Sequence, residues 1–401
     1  PTLCHHESVK RYGACGLCVV EAKGMPRLMR ACSVIASDGV DIDTESDRVR
    51  KSRTIALELL MSDHDGDCKG PCTLNCPAGT DCQGYIKAIA EGDDARAVSI
   101  MKEKLPLPAS VGRVCPHPCE TACRRKLVEQ PISIAQLKYF AADRVLASGE
   151  KPARAAAPTG RRVAIAGAGP AGLCAAYYLA LKGHKVTVYE AMPKAGGMLR
   201  YGIPEYRLPK SVLDSEIALI EGVGVEINCG VRIGRDISFD TLREENDAVI
   251  IAIGAWSSMK VGCNGEELSG VYGGIDFLRS IALGNPVTIG EKTVIMGGGN
   301  TAMDACRSAV RLGAKEVTVV YRRTEKEMPA AREEIEEALE EGVRFKFLVN
   351  PCELIDNNGR VGAVKLQVMR LGEPDSGGRR STVTVEGEFE YIEADSFIEA
   401  I

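Results

Sequence analysis

Between residues 46 and 150 apolar residues recur at three- and four-residue intervals. The stretches "SRTIALELLM", "QGYIKAIAEGDDARAVSIMKEK" and "ISIAQLKYFAADRVLA" each predict a helix with one buried face. Ahead of them lie only short β-like pieces such as "LCVVEA". The segment "EKPARAAAPTG" has no period and reads as a linker. Beyond Gly160 the texture becomes strand, glycine turn, helix, opening at "RVAIAGAGPAGLCAAYYLALKGHKVTVYE" and again at "TVIMGGGNTAMDACRSAVRLGAKEVTVVYRR". Such units build parallel sheets covered by helices on both faces, and two of them predict two nucleotide-sized domains. "EKEMPAAREEIEEALEEGV" predicts a charged helix with a solvated face rather than a binding tail.

A chain of 401 residues is too long for one core and fits several domains. With a net charge of -5 and no stretch interleaving basic and aromatic residues, nucleic acid is excluded as a partner. No apolar run reaches the roughly 18 residues of a membrane span, and no signal-peptide pattern opens the chain. A cytoplasmic protein is expected. There the sixteen cysteines suit ligand or redox chemistry better than disulfides, and eleven of them precede residue 124. Pro1 stands three residues before the first cysteine, and "EADSFIEAI" reads as a strand stopped midway, so an excerpt of a longer chain is expected.

Cys4, Cys15, Cys18 and Cys32 follow the spacing C-x10-C-x2-C-x13-C. A zinc ribbon wants two C-x2-C knuckles, whereas this is one pair flanked by two lone cysteines. That arrangement points to [2Fe–2S], with zinc as the alternative. It resembles the ferredoxin-like module that opens the large subunits of complex I relatives, iron hydrogenases and NAD-dependent formate dehydrogenases, which implies one-electron transfer.

Cys68, Cys72, Cys76, Cys82, Cys115, Cys119 and Cys123 crowd seven thiols into 56 residues. Soft thiolates select zinc, copper(I) or iron–sulfur clusters, and the proline in "CPHPCETAC" leans to the last. "CTLNCPAG", "GRVCPHPCETACRR" and "PISIAQLKYFAAD" resemble the helical domain of the glutamate synthase small-subunit family, shared with dihydropyrimidine dehydrogenase and bifurcating transhydrogenases. The resemblance runs from about residue 60 to the end and implies two [4Fe–4S] clusters with interleaved ligands. Cys68, Cys72 and Cys123 would serve one cluster, and Cys76, Cys115 and Cys119 the other. The sequence departs from the family at Val111 and at Lys138, which replaces a ligand position. His64, spaced H-x3-C before Cys68, and the extra Cys82 complete the sets: His64, Cys68, Cys72 and Cys123, then Cys76, Cys82, Cys115 and Cys119. His117 is expected beside a cluster or at the surface.

In the first dinucleotide unit Gly167 permits a tight turn, Gly169 lets backbone approach a pyrophosphate and Gly172 permits helix–strand contact. Pro170 and Ala171 open the helix whose N-terminal N–H groups face the phosphates. Glu190, ending the next strand, would accept from ribose hydroxyls. The resemblance implies FAD here, with Gly197, Met198, Leu199, Arg207 and Leu208 holding the flavin half and Ile253 and Gly254 passing beneath it. In the second unit Gly297, Gly299 and Ala302 satisfy G-x-G-x-x-A, with Asn300 and Thr301 opening the helix. Where the first unit has Glu190 this one has Arg322 and Arg323, which suit a 2′-phosphate, so NADP(H) is expected over NAD(H). Cys174, Cys229, Cys263, Cys306 and Cys352 are isolated and read as buried small hydrophobes, leaving no dithiol for disulfide reduction.

The expected fold is multidomain α/β: a partial ferredoxin-like module over 1–45, a helical di-cluster domain over 46–150, a linker over 151–160, then two Rossmann-like domains. The FAD domain spans 161–285, the NAD(P) domain 286–390, and 391–401 begin a return to the FAD domain. Hydride moves two electrons and a cluster takes one, so a flavin between them is the converter. The expected function is an NADPH-linked flavoprotein subunit exchanging electrons, through one [2Fe–2S] and two [4Fe–4S] clusters, with another redox subunit or ferredoxin. A relay binding clusters and FAD without pyridine-nucleotide turnover is the alternative. A self-contained reductase of a small molecule would need a further catalytic domain.

Overall fold

The computed structural model describes residues 2–5, 13–64, 69–374 and 378–401. Its chain falls into two units, 1–71 and 72–401. In the first, Gly13 and Gly16 take φ near +68° and +69°, the left-handed conformation that glycine adopts without strain. They turn the chain into the strand Val19–Ala22, which is central and antiparallel to Met29–Arg30 and Ile42–Asp43. The helix Asp47–Ser62 starts at Ser46, whose hydroxyl accepts from Val49 N–H and donates to Glu21. Val49 is fully buried, and Arg53 donates to Val19 O at 3.0 Å. This helix therefore packs on the small sheet, so the first module reaches past residue 45.

The second unit opens with helices Cys82–Ala90, Asp94–Lys102, Pro108–Val114 and Ile134–Ala147. Tyr85, Ala97, Met101, Ile134 and Ala141 form their shared core, as the three- and four-residue spacing requires. The Pro108–Val114 helix has no side-chain cap of its own. Glu216, from the helix Lys210–Gly222, accepts from Ala109 N–H at 2.7 Å and Ser110 N–H at 2.9 Å. That carboxylate ties the helical domain to the first Rossmann-like domain.

There the all-parallel sheet runs Val225–Cys229, Lys185–Glu190, Arg162–Ala166, Ala248–Ile251. Helices on its faces bury Val163, Ile165, Leu173, Val186, Val188 and Leu213, each contributing about 1.5–3 kcal/mol. The second parallel sheet runs Arg344–Phe347, Glu316–Tyr321, Lys292–Met296, Ser396–Glu399, Val271–Gly273. It extends beyond the interval 286–390 marked out from the sequence at both ends. Val271–Gly273 precedes that interval, and Ser396–Glu399, buried throughout, is an interior strand of this sheet. An antiparallel sheet of Val349–Asn357, Arg360–Pro374 and Arg380–Glu393, which the periodicity did not mark, is inserted in the chain between Arg344–Phe347 and Ser396–Glu399.

The acidic helix Arg332–Glu340 has the solvated face expected of it, with Arg332, Glu333, Glu336, Glu337 and Glu340 exposed, and it also carries ion pairs. Glu334 pairs with Arg207 at 2.6 Å and with Arg307 at 2.7 Å, and Glu337 and Glu341 also hold Arg307. Through Glu334 the helix joins an ion-pair network that spans the two nucleotide domains. Among the described residues no helix is long and apolar enough to cross a membrane.

Candidate functional site

The first glycine loop borders a cleft of about 670 Å³ lined by Gly167, Gly169, Pro170, Ala171, Glu190, Gly197, Met198, Ile253 and Gly254. The glycines are there for clearance. A Cβ on Gly172 would lie 1.9 Å from Gly167 O, and one on Gly167 2.5 Å from Ala252 O. Gly197, at φ +53°, brings its backbone so near Gly169 that a Cβ would stand 2.6 Å from Gly169 Cα. The floor of the cleft is thus bare backbone at the N-terminus of Pro170–Leu181, the donor set that suits a pyrophosphate. Glu190, buried, accepts from Ala168 N–H at 2.7 Å and Met192 N–H at 2.8 Å, fixing its carboxylate at the cleft wall.

Three residues expected at the flavin are not among those that line this cleft. Leu199 and Leu208 are buried in the core of the first Rossmann-like domain, and Arg207 turns to Asp304 at 2.8 Å and to Glu334. Burial pushes the Asp304 carboxyl up to about 6 against the pull of Arg207. Arg207 therefore joins the two Rossmann-like domains.

At the second loop Gly297 and Gly298 are equally tight, against Ala400 O and the Tyr321 ring, whereas Gly299 faces open space. Ala302 is buried, Thr301 exposed, and Asn300 accepts from Ala331 N–H at 2.9 Å. The two arginines part company. Arg322 is exposed; Arg323 is buried and donates to Arg380 O at 2.7 Å. Arg379, from the inserted hairpin, lies 3.5 Å from the Tyr321 hydroxyl, beside Arg322 in the chain. Sequence reasoning missed it because 56 residues separate it from Arg323.

In the first unit Cys18 Sγ lies 3.2 Å from Cys32 Sγ, while Cys15 accepts from Leu3 N–H at 3.5 Å and interacts with Cys4. Despite burial, backbone N–H groups of Leu3, Leu17 and Cys4 lower the Cys15 thiol to about 6. Cys32 is raised by its bond with Cys18. Among the described residues no three His, Cys, Asp or Glu side chains converge as ligands of one ion would. Thiols standing in pairs suit a two-iron centre, in which each iron holds two thiolates.

In the helical domain Cys82 and Cys119 are core residues, with Cys72 and Cys76 packed against them. Cys82 is strongly raised and Cys119 lowered to about 7, first by the hydrogen bond between them. Cys123 is buried and Cys115 accepts from His117 N–H at 3.4 Å. This gathering of buried thiols in a helical core is the chemistry of thiolate-bound clusters. His117, half-buried at φ +39°, stands 4.0 Å from Glu120 and 3.9 Å from Glu333. His64 follows the helix Asp47–Ser62 and is exposed; Cys68 lies outside the described residues. Lys138, expected only as a poor ligand, is 5% exposed and buried with these thiols.

Residues 161–401 match the pyridine nucleotide-disulphide oxidoreductase family, 65–150 the dihydropyrimidine dehydrogenase domain II, 4Fe-4S cluster family, and 1–47 the 2Fe-2S iron-sulfur cluster binding domain. The chain is 46% identical over 338 residues to the NADPH-Fe(3+) oxidoreductase subunit beta of Geobacter sulfurreducens, covering 82% of this chain and 50% of that one. It is 42% identical over 356 residues to the NADP(+)-dependent formate dehydrogenase subunit beta of Moorella thermoacetica, with the same coverage. With the glutamate synthase [NADPH] small chain of Escherichia coli it shares 36% over 349 residues, covering 83% and 74%. The chain thus spans about half the length of the first two relatives. The structure of Mycobacterium tuberculosis FprA in complex with NADPH superposes with TM-score 0.53 at 22% identity, over 60% of this chain and 70% of that one, a likeness of fold. The chain belongs to the pyridine nucleotide-disulphide oxidoreductases, among the FAD- and iron–sulfur-dependent relatives of the glutamate synthase small chain, with 2Fe-2S and 4Fe-4S modules ahead of the dinucleotide-binding domains.

Proposed function

We propose that this chain is an NADPH-linked electron-transfer subunit. It exchanges hydride between NADP(H) and FAD and passes single electrons through two [4Fe–4S] clusters and one [2Fe–2S] cluster to a partner redox subunit or ferredoxin. The observation that carries this is the bare-backbone cleft around Gly169 and Gly197, in the same unit as a second glycine loop and a thiol-filled helical core. A flavin bound there supplies the conversion between a two-electron hydride and single electrons. The protein's own part is to bind and orient. Gly167, Gly169 and Gly197 clear the space, Glu190 faces the ribose, and Arg322 offers a cation to the 2′-phosphate. Arg207 and Asp304 hold the two nucleotide domains together.

Two four-iron clusters are supported by the number of thiols, and the pairing of Cys82 with Cys119 favours placing Cys82 in the set with Cys76 and Cys115. His64, Cys68, Cys72 and Cys123 form the other set. The domain limits are read with the three matched segments, and a cytoplasmic location is supported by fifteen described cysteines that all stand as free thiols. The names of relatives joined to formate dehydrogenase, ferric iron reduction and glutamate synthase support a partner subunit.

The test is anaerobic addition of NADPH, and separately NADH, to the reconstituted chain. NADPH should bleach the flavin absorbance at far lower concentration, and iron analysis should give about ten irons per chain. Absence of bleaching by either nucleotide would favour the relay. About six irons would remove one four-iron cluster.

A further inference from the structure

The helix Ile134–Ala147 turns Ile134, Ala135, Lys138, Ala141 and Ala142 inward. Four of these are apolar and one carries an ammonium, with 5% of its surface exposed. Lys138 lies one turn from Ile134 and just under one from Ala141, and both pack in the core that contains Cys82 and Cys119, with Cys72 and Cys76 against it.

Burying an ammonium without an anion is strongly unfavourable, so a buried lysine has a counter-charge. Nearby carboxylates are already engaged. Asp143 pairs with Arg113 at 2.6 Å, Asp94 with Arg144 at 2.6 Å, and Glu120 accepts from Ala135 N–H at 2.8 Å. Among the described residues no carboxylate forms an ion pair with Lys138. Its neighbours on the buried helix face, Ile134 and Ala141, pack in one core with Cys82 and Cys119, against which Cys72 and Cys76 lie.

We propose that the Lys138 ammonium is the built-in counter-charge of the cluster held by Cys76, Cys82, Cys115 and Cys119, and that it raises that cluster's reduction potential. This rests on the two-cluster reading above. Adding one electron makes a thiolate-bound cluster more negative, and a fixed positive charge in a low-dielectric core favours that state. No bond forms or breaks in this role. Lys138 therefore makes this cluster an acceptor rather than a low-potential donor.

The experiment is a potentiometric titration of the reconstituted full chain, with dithionite as reductant and each cluster followed by its paramagnetic resonance signal. Wild type is compared with Lys138→Met, Lys138→Gln and Lys138→Arg. Both neutral variants should move one four-iron midpoint downward by at least a tenfold change in the reduction equilibrium, about 59 mV for one electron. The other clusters should stay in place and Lys138→Arg should restore the wild-type value. An unchanged midpoint in both neutral variants overturns the proposal. Where a neutral variant loses the cluster, iron content decides: loss in Met and Gln with retention in Arg supports a charge requirement, and loss in all three overturns it. A wild type without a second four-iron signal sinks the two-cluster reading, and this proposal with it, before any variant is compared.

Discussion

Gly197 concentrates what the flavin cleft needs of a single position. It combines φ +53° with a backbone approach so close that a Cβ there would stand 2.6 Å from Gly169 Cα. Gly197→Ala should therefore lower flavin content and Tm together, measured by bound-flavin absorbance and thermal melting. Arg322 and Arg323 are neighbours with different work. Arg322→Ala should raise the KM for NADPH about tenfold to a hundredfold, the scale of one lost charge-assisted bond, and leave NADH little changed. Arg323→Ala should instead lower Tm, because that guanidinium holds Arg380 O in the hairpin. The sequence could supply the pair but not the division, since an "RR" at a strand end sends its side chains to opposite faces.

At the level of elements, the Pro108–Val114 helix depends on a carboxylate more than a hundred residues away. Removing it by Glu216→Ala leaves two buried N–H groups without acceptors and should destabilise the second unit by about 2 kcal/mol in chemical denaturation. The strand Ser396–Glu399 carries a pH-dependent contact of its own. Glu399 accepts from Val261 N–H at 3.4 Å, and burial, together with the neighbouring Glu266, pushes its carboxyl up to about 7 from 4.5. A carboxyl raised on folding takes up a proton. Its contribution is full below the unfolded value near 4.5 and is lost as pH rises through about 7. Melting temperatures should fall across that window, and Glu399→Gln should flatten the fall. Neither contact was legible in the sequence, because each joins segments whose periodicities are independent.

For the whole molecule, the parts are well marked in the sequence and their seams less well. Glycine loops, cysteine spacings and helical periods are local signals; Gly167 and Gly172 stand where backbone passes too close for a Cβ, and Cys82 and Cys119 stand in the core of the helical domain. Arg207 pairs across a domain boundary, which was not legible because a charged residue reads the same in sequence whether it meets solvent or such a partner. The seams at Val271–Gly273 and Ser396–Glu399 are shifted because a sheet is completed by strands distant in sequence. Lys138 is the sharpest case: in sequence it is only a misfit for a ligand, and its burial is what makes it informative.

The central claim is that hydride from NADPH becomes single electrons on this chain's own clusters. It is tested most directly by anaerobic titration of the reconstituted chain with NADPH, recording flavin absorbance and cluster paramagnetic resonance on the same samples. The account predicts that flavin bleaching is accompanied by signals of reduced iron–sulfur clusters without any partner added. Bleaching of the flavin while every cluster stays oxidised, though dithionite reduces them, would contradict it.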